Sequence, residues 1–221
     1  MAQLKLYRPT QSGAVNQPFG ANPAYYAKFL DRFGEPQKGH MGIDFQAAHG
    51  TPLYAVCDGV AWYVTDVHGG DGIYIQTDLF DYQAAQAYFW IINWHLCSKD
   101  DPQFKPLIPT DGTRVKVKAG QLIGYTDNTG APFESSGDHL HFGLVPVQAN
   151  GTPFDAHNGF DGCIDASPYL TNIFAGDIGK VAEVVTAVAA VVPQVAASNL
   201  PAQTKLDFFS KVVKFLQSLF K

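Results

Sequence analysis

Short apolar runs separated by glycine, proline and polar links dominate the chain from Gly50 to about residue 170. They predict strands at Leu53–Val56, Val60–Val64, Ile73–Gln76, Tyr88–His95, Arg114–Val117 and His139–Val145. Gly69-Gly70-Asp71-Gly72 and Asp111-Gly112 are turn signals. Pro102 to Pro109, with three prolines, reads as an irregular surface loop. An antiparallel sheet is expected, and a helical bundle is not. Near Gly176 the pattern changes. Val181 to Ala197 is rich in Val and Ala with helical character. Leu206, Phe209, Val213, Leu216 and Phe220 then recur every three or four residues, widened by Phe208, Val212, Phe215 and Leu219. The division expected is therefore a mainly β domain over 1–175 and a helical tail over 176–221, with an amphipathic helix at about 204–220.

Composition narrows the possible functions. The 221 residues can bury one substantial core, and the net charge of −5 offers no basic footprint for nucleic acid. The tail is locally basic, with four lysines and one aspartate from Lys205 to Lys221. It is suited to packing on its neighbour, to self-association or to binding a membrane surface. Cys57, Cys97 and Cys163 have no metal-site spacing and are expected to be buried thiols, Cys97 and Cys163 being the pair that would bridge if the fold brought them together. No stretch is long and apolar enough for a membrane span. The first twenty residues have no basic start followed by an apolar run. Synthesis in the cytoplasm without signal-dependent export is the expectation.

Chemistry concentrates in three histidine contexts: Gly39-His40-Met41-Gly42-Ile43-Asp44, Asn93-Trp94-His95-Leu96 and Asp138-His139-Leu140-His141-Phe142. On a strand, His139 and His141 share one face about 6.6 Å apart, while Leu140, Phe142 and Leu144 point to the other. His40 and Asp44 add a nitrogen and an oxygen donor suited to Zn²⁺. A straight strand would hold those two about 13 Å apart, so the chain must bend between them, and Gly42 permits a bend. Spacing alone does not choose between His139 and His141 as a ligand. His49, His68 and His157 lie in turn-like sequence and read as surface residues.

Taken in order, these segments resemble the lysostaphin-type zinc endopeptidases, which act on peptidoglycan. The resemblance runs from about residue 18 to 170. It includes His40-Met41-Gly42-Ile43-Asp44-Phe45, Gly50-Thr51-Pro52-Leu53-Tyr54-Ala55 with Asp58-Gly59-Val60, and Gly70-Asp71-Gly72-Ile73-Tyr74-Ile75. Trp94-His95-Leu96, Lys118-Ala119-Gly120-Gln121-Leu122-Ile123-Gly124, Thr129-Gly130, His139-Leu140-His141-Phe142 and the closing Ile164-Asp165-Ala166-Ser167-Pro168-Tyr169-Leu170 complete it. It implies a groove-bearing antiparallel β-domain holding one zinc ion on His40, Asp44 and His141, with His95 and His139 beside the open position as catalytic residues. It also implies hydrolysis of wall peptide crosslinks in the periplasm or outside the cell, and a phage-encoded lysin fits the missing signal sequence. The alternative is a catalytically silent wall-binding protein, or a phage or secretion component of the same fold. Three departures are Asn93 at a commonly aromatic position, Asp138 placed to perturb His139, and a loop lengthened by Ala131 to Ser135.

Overall fold

The computed structural model describes residues 3–132 and 135–219, with the backbone alone for 180–184, 186, 187 and 216–219. The strands are β1 (Leu6–Arg8), β2 (Val15–Gln17), β3 (Ile43–Gln46), β4 (Pro52–Tyr54), β5 (Gly59–Asp66), β6 (Gly70–Gln76), β7 (Phe80–Tyr82), β8 (Ala85–Trp94), β9 (Val115–Val117), β10 (Leu122–Tyr125), β11 (His139–Val147) and β12 (Leu170–Phe174). The helices are α1 (Pro23–Tyr26), α2 (Ile178–Ala197) and α3 (Ala202–Leu219). The architecture is mainly β with a C-terminal helical part.

One antiparallel sheet in the order β2-β3-β11-β8-β6-β5-β9 organises the molecule, with β7 beside β8. Two small sheets flank it: antiparallel β10-β4, and β1-β12, which is parallel and departs from the antiparallel expectation. Period-two alternation fixes the faces of the main sheet. Leu140, Phe142 and Leu144 of β11, Phe89 and Ile91 of β8, and Ile73 and Ile75 of β6 are fully buried in one core. Each buried Phe or Ile contributes about 1.5–3 kcal/mol. The opposite face carries the histidines at one end and, farther along β11, a second apolar cluster of Ile92, Val145, Val147 and Cys163. The imidazole face is thus partly a core as well.

Pro146 in a central strand is tolerated for a reason visible in the pairing. β3 covers β11 only from His139 to Phe142. Beyond that, loop residues take over: Phe154 N–H donates to the Pro146 carbonyl at 3.0 Å and Ile164 N–H to that of Leu144 at 2.8 Å.

The structure shifts several expected boundaries. Arg114 lies outside β9, with its guanidinium 4.0 Å from the Trp62 ring centre. The β7-β8 hairpin turns on Gln83 and Ala84, both at positive φ. That geometry is usually signalled by Asn-Gly, so it was invisible in the sequence. His95 leaves β8 with φ 63°. Three thiols are free; Cys97 and Cys163 are buried and unbridged, and Cys57 is half-buried. In the tail, α2 and α3 pack on each other, and Leu206, Val213 and Phe215 of α3 are exposed. Phe220 of the expected stripe lies outside the described residues. No helix among the described residues is long and apolar enough to cross a membrane.

Candidate metal centre

Three neighbouring strands bring the site residues together. His141 on β11 stands in register with Asp44 on β3 and with Trp94 on β8, the residue before His95. Leu140 and Phe142, locked in the core, aim His139 and His141 at the opposite face. The chain bends at Met41-Gly42 before β3 and returns His40 to Asp44. Backbone bonds from Gly20 N–H to the His40 carbonyl (2.8 Å) and from His40 N–H to the Ala21 carbonyl (2.9 Å) hold the return. Gly42 serves a second need there. A Cβ on it would lie 2.7 Å from both Cε1 and Nε2 of His141, so the imidazole occupies the space a side chain would fill.

His40 Nε2, Asp44 Oδ1 and His141 Nδ1 form a nearly equilateral triangle. The edges are 3.0 Å from His40 to His141, 3.1 Å from His40 to Asp44 and 3.2 Å from His141 to Asp44. Donors about 2.0–2.2 Å from a zinc ion sit about 3.3–3.6 Å apart at tetrahedral corners, so these three need spread by only a few tenths of an ångström. His40 is 3% and His141 9% exposed, burial that isolated imidazoles seldom accept without partners. His40 Nδ1 lies 3.4 Å from the Pro18 carbonyl, an acceptor that would hold the ring proton on Nδ1 when Nε2 is turned to a metal ion.

Electrostatics agree with this donor set. Burial opposes ionisation of Asp44. Hydrogen bonds from His141 and then His40, with the charge interactions of the same two residues, nevertheless hold its carboxyl well below the usual range. Burial lowers the pKa of His141 and keeps the imidazole neutral, as a ligand must be.

His95 and His139 stand beside the triangle, their ring centres 4.6 Å apart. His95 Nδ1–H donates to the Thr129 carbonyl at 2.8 Å, and His139 Nδ1–H to the Gly137 carbonyl at 2.7 Å. Each keeps a bare Nε2, and that of His139 lies 3.5 Å from Asp44 Oδ1. Burial, helped by the nearby His141 and His139, pushes the pKa of His95 down to about 4. The Thr129 carbonyl is itself pinned. Thr129 Oγ1 donates to the Leu96 carbonyl at 2.7 Å and accepts from Asp71 N–H at 3.1 Å, and the Gly70 and Gly130 backbones cross where a Cβ on Gly70 would come 2.3 Å from Thr129.

Sequence reading named all five of these residues but missed the carbonyls of Pro18, Thr129 and Gly137 that orient the rings. Backbone acceptors carry no side-chain signal, so only folding reveals them. Two of the noted departures are accounted for. Asn93 is buried facing the core side; its Nδ2 donates to the Ile73 carbonyl at 2.9 Å and its Oδ1 has no partner. Asp138, next to His139 in the chain, accepts from the His49 N–H at 3.0 Å. The loop at Ala131 to Ser135 lies partly outside the described residues. His49, His68 and His157 are exposed, as expected.

No protein-family model matches the sequence, and no curated protein matches it. Solved structures do. LytU is 26% identical, the match covering 70% of this chain and 82% of that one with a TM-score of 0.44. The catalytic domain of the prophage-encoded M23 protein EnpA from Enterococcus faecalis is 27% identical, over 57% of this chain and 82% of that one, at a TM-score of 0.37. The catalytic domain of the antimicrobial peptidase lysostaphin from Staphylococcus simulans is 21% identical, over 63% and 85%, at 0.40. The likeness is to lysostaphin-type peptidases. These superpositions are partial, with TM-scores between 0.37 and 0.44.

Proposed function

We propose that this protein is a zinc-dependent endopeptidase that hydrolyses peptide crosslinks of bacterial peptidoglycan, acting at the cell wall. The observation that carries this reading is the triangle of His40, Asp44 and His141 with two further imidazoles, His95 and His139, on its flank. Three protein donors with an unfilled position distinguish a catalytic zinc site from a structural one. A zinc ion held there supplies a water of lowered pKa and an electrophile for the peptide carbonyl.

The protein's own part is positional and protonic. His95 and His139 each hold a proton on Nδ1 against a backbone carbonyl and present a bare Nε2. That nitrogen can accept a proton from the attacking water and return it to the leaving amine. The depressed pKa of His95 keeps it unprotonated across the neutral range. When protonated, His139 is placed to stabilise the oxyanion that develops in the transition state. His139 lies beside Asp44 and is more exposed than His95, which suits the proton-exchanging role.

Release of new amino termini from purified peptidoglycan, measured with bound zinc for wild type, His141→Ala and His95→Ala, tests the proposal. Activity should fall at least about a hundredfold in both variants. Zinc should be lost mainly from His141→Ala. A zinc-bearing wild type that releases nothing from several wall chemotypes would replace this reading with the wall-binding one.

A further inference from the structure

A second cluster of His, Cys and Asp side chains lies next to the His95 backbone. His49 follows β3, Cys97 and Asp101 follow β8, and Asp127 follows β10. His49 Nε2 is 3.0 Å from Asp101 Oδ2 and 3.9 Å from Asp127 Oδ1, and all four donor atoms, Cys97 Sγ included, lie within 4.8 Å of one another. We propose that His49, Cys97, Asp101 and Asp127 form a second, structural site for a zinc-like divalent ion, separate from the catalytic centre.

The donor set selects the ion class. One thiolate, one imidazole and two carboxylates suit a borderline-soft transition ion, and four protein donors leave no position for substrate. At zinc distances the corners of such a site are about 3.3–3.7 Å apart, a spread that small side-chain rotations reach from the distances observed. Two of the donors are already oriented. Asp101 Oδ1 accepts from the N–H groups of Gln103 (2.8 Å) and Phe104 (2.7 Å), which turns Oδ2 toward the cluster, and the Phe104 ring packs on His49 with centres 5.3 Å apart. Charge calls for a cation. Asp101, Asp127 and Asp138 surround one imidazole, and among the described residues no lysine or arginine pairs with Asp101 or Asp127.

The Cys97 thiol donates to the Thr126 carbonyl at 3.2 Å, and burial with the nearby Asp127 and Asp101 holds that proton on. Metal binding must release the thiol proton and the proton on His49 Nε2, so affinity rises with pH. The ion would staple the loop after β8 to those after β3 and β10. Asp127 N–H donates to the His95 carbonyl at 2.7 Å, so the staple bears directly on where His95 sits.

Cobalt(II) titration of the metal-free full chain tests this, because a thiolate ligand adds a near-ultraviolet charge-transfer band that a His/His/Asp centre lacks. Wild type should take up two equivalents and show the band. Cys97→Ser should take up one without the band, and His141→Ala should take up one and keep it. His49→Ala and Asp101→Asn should weaken the band-forming equivalent at least about tenfold. A melting curve of each metal-free variant checks that it is folded; Cys97→Ser keeps a donor for the Thr126 carbonyl, and Asp101→Asn keeps the Oδ1 acceptor for the Gln103 and Phe104 N–H groups. A wild type without the band, or a band that survives Cys97→Ser, would overturn the proposal. Failure of the catalytic reading alone would leave the band intact and remove only the other equivalent.

Discussion

At Gly42 the missing side chain is a requirement of the metal centre, because the His141 imidazole fills the volume a Cβ would take. Gly42 is absent from the glycines at positive φ, so steric space, and not backbone conformation, excludes other residues there. Gly42→Ala should therefore push the His141 ring off the triangle and also strain the backbone, because its Cβ would come 2.8 Å from the Phe142 carbonyl oxygen. Zinc affinity, measured by competition with a chromophoric chelator, should drop by about tenfold or more, and the melting temperature should fall with it. Unaltered affinity would show that the ring can shift without cost. The bend at this glycine was legible in the sequence. The contact was not, because His141 lies 99 positions away in the chain.

Single elements show where local pattern was sufficient and where it was not. Alternation along β11 placed Leu140, Phe142 and Leu144 in the core and the two histidines opposite, since a half-buried strand has only two faces. The β7-β8 turn and the short strands β1 and β2 gave no comparable signal: Gln83-Ala84 is not a turn dipeptide, and three-residue strands depend on their partners. In α3, Leu206 and Val213 lie seven residues apart on one side and remain 62% and 51% exposed. Two apolar side chains this exposed among the described residues favour association. Leu206→Gln with Val213→Gln should lower the mass measured by light scattering at high concentration and leave the melting temperature of the β-domain unchanged. An identical mass for both proteins would remove the self-association role and turn attention to vesicle binding.

Across the whole molecule the site gathers buried imidazoles whose neutrality depends on burial, and that links stability to pH. His95 titrates near its ordinary value of 6.5 when unfolded and near 4 when folded, so below pH 6.5 the unfolded chain binds the extra proton. Stability from this residue is complete above 6.5 and declines as pH falls toward 4. The loss amounts to about 3 kcal/mol by pH 4, at about 1.4 kcal/mol per tenfold change in proton affinity. His141 acts in the same direction, and Asp44, whose pKa is also depressed, adds its own loss only below its ordinary 3.8. Urea unfolding of chelator-treated protein at pH 7.5 and pH 4 should show the decline. His95→Asn, chosen because asparagine accepts the positive φ found there, should flatten it. Equal pH slopes for the two proteins would mean that His95 is not the buried base assigned here.

The sequence by itself determined the residue chemistry, the alternation that makes a mainly β domain, the change to helix near Gly176, and the order of motifs that resembles the lysostaphin-type peptidases. Those are properties of neighbours in the chain, and periodicity reports them directly. Only the tertiary structure decided which atoms meet: Nδ1 of His141 and Nε2 of His40 at Asp44, the carbonyls that set each ring, and the second cluster at His49, Cys97, Asp101 and Asp127. His49 and Cys97 looked unremarkable one at a time because a metal site is defined by convergence within a few ångströms. Strand register and loop closure create that convergence between residues far apart in sequence, and no local pattern encodes it.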